Sequence, residues 1–252
     1  MNSATVRRLL ARGMLAGLGA GVLALLVAYF LGEPSVDNAI GFEEAHAPAH
    51  EHEVELVSRS LQSTGGLATG VLIYGVAFGG IAALAYCFAL GRVGRFTPRA
   101  TALLLSGTAL LAVYVVPFLK YPANPPSVGD PDTISKRTIL YFLMMVLSVL
   151  LAIAAVILGK RLAPRWGTWY ATVTAGAFFI LVIALAYQFL PVINEVPKDF
   201  PAALLWRFRT SALAIQLTLW TGFGLIFGEL AQRVLTPRSQ AAVAPEATTA
   251  PH

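Results

Sequence analysis

Polar and apolar residues follow one another along this chain in long blocks. Six stretches contain no Asp, Glu, Lys, Arg or His: 14–31, 66–90, 100–119, 139–159, 168–190 and 211–228. Each is 18 to 25 residues long, and a helix rising ~1.5 Å per residue needs about 20 apolar residues to cross a hydrocarbon core ~30 Å thick. A helix at the surface of a soluble protein keeps one polar face toward water, whereas these stretches are apolar around their whole circumference. A chain of 252 residues has no soluble core large enough to bury six of them. The pattern predicts an all-α integral membrane protein, with six transmembrane helices within residues 1–235.

The charges between the stretches are sorted. One set of connections holds Arg7, Arg8, Arg12, Arg92, Arg95, Arg99, Lys160, Arg161, Arg165, Arg233 and Arg238, with only Glu229 and Glu246 as acids. The alternate connections hold the other seven basic residues and eleven acids: Glu33, Asp37, Glu43, Glu44, Glu51, Glu53, Glu55, Asp130, Asp132, Glu195 and Asp199. Positive residues are retained in the cytoplasm, so the first set is expected inside, with both termini cytoplasmic and three acidic loops outside. The same sorting explains a net charge of +5 without any basic face for nucleic acid. Arg7-Arg8-Leu9-Leu10 before an apolar run resembles a secretion signal, but the run is too long for a typical signal core. No small-residue cleavage site follows Leu31, and the reading is an uncleaved first helix. Residues 236–252 are Ala, Pro and Thr rich and are expected to form a disordered cytoplasmic tail.

Composition adds little beyond this. The chain is 57% hydrophobic and 12% charged, with a mean hydropathy of +0.70. Its one cysteine, Cys87, lies inside the second stretch, which excludes an intramolecular disulfide and a multi-cysteine metal site. The chain contains no phosphate-cradling glycine loop with Lys and Ser or Thr, no HExxH, and no histidine within any span. The expectation is a protein that is not an enzyme and holds no tightly bound cofactor.

Two further patterns leave alternatives open. Spans one, three and five end in Phe30-Leu31, Phe118-Leu119 and Phe189-Leu190. The following loops close on Arg59-Ser60, Arg137-Thr138 and Arg209-Thr210. Three hairpin pseudo-repeats would give this pattern, and so would chance near membrane boundaries. Glycines recur every four residues at Gly13, Gly17 and Gly21, at Gly66 and Gly70, at Gly75 and Gly79, and at Gly224 and Gly228. Such spacing suits close helix packing, with pore lining as the alternative.

Candidate chemistry gathers in the outer connections. The acidic segment 32–65 carries His46, His50 and His52 among Glu43, Glu44 and further carboxylates. Imidazole and carboxylate suit Co²⁺, Ni²⁺ and Zn²⁺, and clustered negative charge concentrates cations. Pro48 breaks the helical spacing between His46 and His50, and the competing reading is a solvated loop with incidental histidines. Asp37, Asn124, Asp130, Asp132, Asn194 and Glu195 supply oxygens for a vestibule on the same side. The plainer roles for such residues are a cap from Asp130 or Asp132 and ion pairs from Arg59, Arg137 and Arg209. No charge sits at mid-membrane, so a permeation path would use Gln216, hydroxyls such as those of Thr69, Ser106, Ser148 and Thr218, the sulfurs of Met144 and Met145, or exposed backbone carbonyls.

Several strings resemble the CbtA family over Arg7 to Arg233. These are RRLLARGMLAG at Arg7–Gly17, EPSVDNAIGFEEA at Glu33–Ala45, ELVSRS at Glu55–Ser60 and GRVGRFTPRATALLL at Gly91–Leu105. FLKYPANPP with GDPDT, INEVP at Ile193–Pro197 and LWRFRT at Leu205–Thr210 complete the set. The resemblance implies the large membrane subunit of a cobalt uptake transporter in a bacterial cytoplasmic (inner) membrane, feeding corrin cofactor synthesis. It also implies a small one-span companion, CbtB, with a histidine-containing end. It transfers no ligand residues, and the His46, His50, His52 cluster is not part of the family pattern. Two functions therefore stand. One is a divalent-cation permease subunit that takes cobalt(II) from an acidic outer face, alone, with its companion or as a homo-oligomer. The other is a non-transporting scaffold whose outer loops bind another protein.

Overall fold

A computed structural model describes residues 2–46 and 57–236. The proposed ligands His50 and His52 and the tail beyond Thr236 lie outside the described residues.

All regular structure among the described residues is helical. Helix α1 (Ser3–Val27) passes through a π turn at Ala28–Gly32 into α2 (Glu33–His46). A short α3 (Arg59–Leu61) leads through a second π turn at Gln62–Gly66 into α4 (Leu67–Ala89). Helix α5 (Pro98–Ala109) runs through a third π turn at Leu110–Val115 into α6 (Val116–Lys120). Then come α7 (Ile134–Phe189) and α8 (Ala202–Leu235). Among the described residues, five helical rods are long and apolar enough to cross a membrane: Ser3–His46, Arg59–Ala89, Pro98–Lys120, Pro131–Phe189 and Ala202–Leu235.

Five rods replace six stretches because the fourth and fifth stretches are the two arms of α7. At Gly167 the backbone leaves helical geometry, with φ 78° and ψ 159°, a region that is open to glycine almost alone. An unbroken helix of this length would hold its ends about 84 Å apart, yet Thr133 and Glu195 are hydrogen bonded at 2.6 Å. A Cβ built on Gly159 would also stand 3.4 Å from that of Ala175, the two residues lying eight positions either side of the break. The rod is folded back on itself at Gly167.

The segment 32–65, read from sequence as a loop, is helical over Glu33–His46 and again from Arg59. Two π turns have the same local cause. Pro34 and Pro117 lack an amide hydrogen and would clash with the preceding turn of a regular helix, and each follows the end of a π turn by two residues. The wider turn absorbs the proline but leaves carbonyls unpaired, which is costly in lipid. Neighbouring helices donate to carbonyls in and beside these turns. Ser211 Oγ donates to the Leu31 carbonyl at 2.8 Å, Ser148 to Ala112, and the Tyr187 hydroxyl to Val116.

Helices α1, α4, α5 and α8 share one core. Small residues let α1 and α4 touch backbone to backbone, because a Cβ on Gly17 would overlap Gly75 and Gly79. Gly224 and Gly228 of α8 pack on Ser106 and Ala102 of α5. Of Gly66 and Gly70, grouped with these by spacing, the first faces only Leu61 of its own rod and the second faces open space. An aromatic run fills the centre, with Phe78 edge-on to Trp220 at 4.6 Å and Tyr86 edge-on to Phe227 at 5.0 Å. A second cluster joins the α7 arms to the α6 region through Val116, Tyr121, Leu140, Met144 and Ile183. Outward faces are apolar: Phe189 is 84% exposed, Trp169 76% and Phe88 72%. Exposed apolar surface on this scale suits lipid rather than water.

The two charge groups read from sequence occupy opposite ends. At one, Arg99 and Arg233 pair with Glu229 at 2.5 and 2.9 Å, Arg12 Nη1 donates to the Leu230 carbonyl, and Lys160 Nζ donates to the Arg92 carbonyl. At the other, Arg59 pairs with Glu33 and Asp37 and Arg137 with Glu195, and His46 Nε2 stands 3.7 Å from Asp199. Among the described residues, every ion pair joins members of the same group.

Candidate functional site

The acidic end carries a cavity of about 570 Å³. It is built where the 121–130 connection, the start of α7, the 191–196 segment and α8 meet, and its floor reaches Tyr114, Phe118, Tyr141 and Phe142.

Local chemistry fixes this loop region. Pro122, Pro125 and Pro126 prevent a helix after Lys120. The Tyr121 hydroxyl donates to the Pro191 carbonyl at 2.9 Å, and Lys120 Nζ donates to the Tyr187 carbonyl at 2.6 Å. These bonds tie the connection to the end of α7. Asp130 caps the short turn Pro131–Thr133, its carboxylate accepting from the Asp132 amide at 2.9 Å. Gly129, at φ 133°, lies flat against the Arg137 guanidinium, where a Cβ would overlap the side chain.

Glu195 is the centre of the polar network. The Thr133 hydroxyl donates to its Oε1 at 2.6 Å and the Asp130 amide to its Oε2 at 2.9 Å, while Arg137 Nε stands 3.3 Å away. The Thr133 hydrogen bond first, then the Asp130 amide and the positive charges of Arg137 and Lys136, hold this carboxyl below the usual carboxylate range. Across the cavity, Arg209 Nη2 donates to Asn124 Oδ1 at 2.9 Å and its Nε to the Ala123 carbonyl at 3.3 Å.

The other residues expected from sequence are dispersed. Asp37 and Glu33 converge on Arg59. His46 stacks on Phe42 at 4.1 Å, with its Nδ1 2.8 Å from the Phe42 carbonyl and its Nε2 3.7 Å from Asp199. Glu43 and Glu44 are exposed on α2, and Asp132 is exposed beside the capped turn. Of the expected set, the cavity lining includes Asn124, Asn194 and Glu195. Among the described residues, no three His, Cys, Asp or Glu side chains stand close enough to hold a metal ion.

Interior polar groups serve helix contacts. Gln216 Oε1 accepts from Trp220 Nε1 one turn along α8 at 3.2 Å. Ser106 Oγ donates to the Trp220 carbonyl at 2.5 Å, Thr218 to Ala214 of its own helix at 2.8 Å, and Met144 is fully buried. The cavity adds two residues that sequence reasoning passed over, Tyr114 and Tyr141. They lie in uncharged stretches, and nothing in their spacing marks them.

Several long, outwardly apolar helices with charged ends define a membrane-type helical protein. The chain belongs to the CbtA family, described as "probable cobalt transporter subunit", which it matches over residues 6–232. No curated protein and no solved structure matches the chain.

Proposed function

We propose that this chain is the membrane-embedded subunit of a divalent-metal uptake transporter whose substrate is cobalt(II). The carrying observation is the family match across nearly the whole chain. The opposed charge groups, with the acid-rich one at a single end, support a direction of entry. In this reading the rods, with α7 counted as two arms, make six crossings of a bacterial cytoplasmic membrane with both termini inside.

Cations gather at the outer face through Asp37, Glu43, Glu44, His46, His50, His52, Asn124, Asp130, Asp132, Asn194 and Glu195. They then pass between the helices near Gln216. The word "subunit" in the family description calls for a partner, and a one-span CbtB-like protein fills that role.

One observation favours the scaffold reading instead: Glu33, Asp37 and Glu195 are already engaged by arginines. Accumulation of radiolabelled cobalt in cells expressing this chain with its companion decides between the two. Uptake above that of cells with the companion alone supports the transporter, and uptake equal to it supports the scaffold.

A further inference from the structure

The cavity at the acidic end is itself not acidic. Its charged lining consists of Arg137, Arg209 and Glu195, so one positive charge is in excess. Glu195 is shared among Thr133, Asp130 and Arg137. Arg209 forms no ion pair among the described residues and uses two of its five N–H groups, on Asn124 and Ala123. Arg137 Nε is covered from solvent and lacks a well-aligned acceptor. The remaining polar lining adds the phenols of Tyr114 and Tyr141, the hydroxyl of Thr138 and the amides of Asn124 and Asn194, while the Tyr121 hydroxyl is already committed to the Pro191 carbonyl.

This inventory is rich in donors and poor in free acceptors. A bare divalent cation would be repelled by two guanidiniums and would find one carboxylate already occupied. An oxyanion would meet the opposite situation, because a planar guanidinium matches a carboxylate or phosphate in a bidentate fork. A volume of about 570 Å³ lies within the range that holds a small molecule.

We propose that this cavity binds an oxyanion, the carboxylate or phosphate group of a small anionic ligand, with Arg209 as principal contact and Arg137 as the second. The site does not rest on the metal-uptake reading, but it constrains it. Cobalt crossing this cavity would travel with a carboxylate ligand in its coordination shell, since that ligand supplies the negative charge the lining lacks.

Isothermal titration of the full-length protein, in nanodiscs made only of phosphatidylcholine, with citrate and no metal tests the proposal. Saturable binding is expected for the unaltered protein. Arg209→Gln should weaken it by about tenfold or more, the loss of a charge-assisted contact. Glu195→Gln removes the competing carboxylate and leaves Arg137 held only by the Asp130 carbonyl, so it should tighten citrate severalfold. That second variant keeps the test decisive where Arg209→Gln fails to fold. Displacement of citrate by inorganic phosphate identifies a soluble anion as the occupant, and displacement by short-chain phosphatidylglycerol alone identifies a lipid headgroup. No binding of citrate, phosphate or phosphatidylglycerol overturns the proposal. So does citrate affinity that neither substitution changes.

Discussion

Gly17 of α1 and Gly79 of α4 hold their helices at backbone contact: a Cβ on either would fall within 2.8 Å of the other's Cα. The hydrophobic effect does not drive helices together within lipid, so close packing of this kind supplies much of the association. Gly17→Ala should destabilise the protein by about 1–3 kcal/mol, the range for overpacking a closed contact. Gly70→Ala, in the same helix pair but facing open space, should remain within ~0.5 kcal/mol of the starting protein. Thermal unfolding in one detergent compares the two, and equal midpoints would contradict this packing.

The fold-back of α7 predicts a disulfide. A Cβ built at Gly159 lies 3.4 Å from the Ala175 Cβ, close to the separation found in natural disulfides. Replacing Gly159 and Ala175 with Cys, in a Cys87→Ala background, should give a crosslink under mild oxidation, read as altered gel mobility. A straight helix would hold the two positions about 24 Å apart and give none.

Glu195 gives the acid-rich end a pH dependence of known sign. Its folded carboxyl is held below the ordinary value of 4.5, first by the Thr133 hydroxyl and then by the Asp130 amide and Arg137. Its contribution to stability is therefore complete above about pH 4.5 and is lost as pH falls through the lower folded value. Glu195→Gln should remove this part of the acid destabilisation, seen as a shallower fall in unfolding temperature below pH 4.5. An unchanged acid profile would mean that the network carries no such linkage.

The fold and its charge sorting were legible because lipid imposes strong rules. Long uncharged runs and alternating charge groups marked where the rods lie and which connections share an end. The break at Gly167 was visible as the gap between Gly159 and Thr168, where Lys160, Arg161, Pro164 and Arg165 interrupt the apolar run. The helical extension through Pro34 was not, since a proline there reads as a terminus unless a π turn precedes it. Ion pairs from Arg59 and Arg137 were open to sequence reasoning, as both stand in acid-rich connections. The partnership of Arg209 with Asn124 brings together residues 85 positions apart, and the place of Tyr114 and Tyr141 in a cavity depends on rotation about helix axes. Neither has a local signature.

The histidine-bearing acidic segment has its own test. Replacing His46, His50 and His52 together with Ala should weaken binding of Co²⁺ to the purified protein by about tenfold, the loss of its imidazole nitrogen ligands. Titration calorimetry at pH 7 reads the change. Unaltered affinity would make all three bystanders.

Uptake by the reconstituted protein bears most directly on the whole account. Proteoliposomes containing this chain and the proposed one-span companion, given external radiolabelled cobalt, should accumulate it above vesicles holding the companion alone, and excess unlabelled cobalt should compete. Equal counts in both preparations, with the protein shown to be folded and inserted, would contradict a role in cobalt transport.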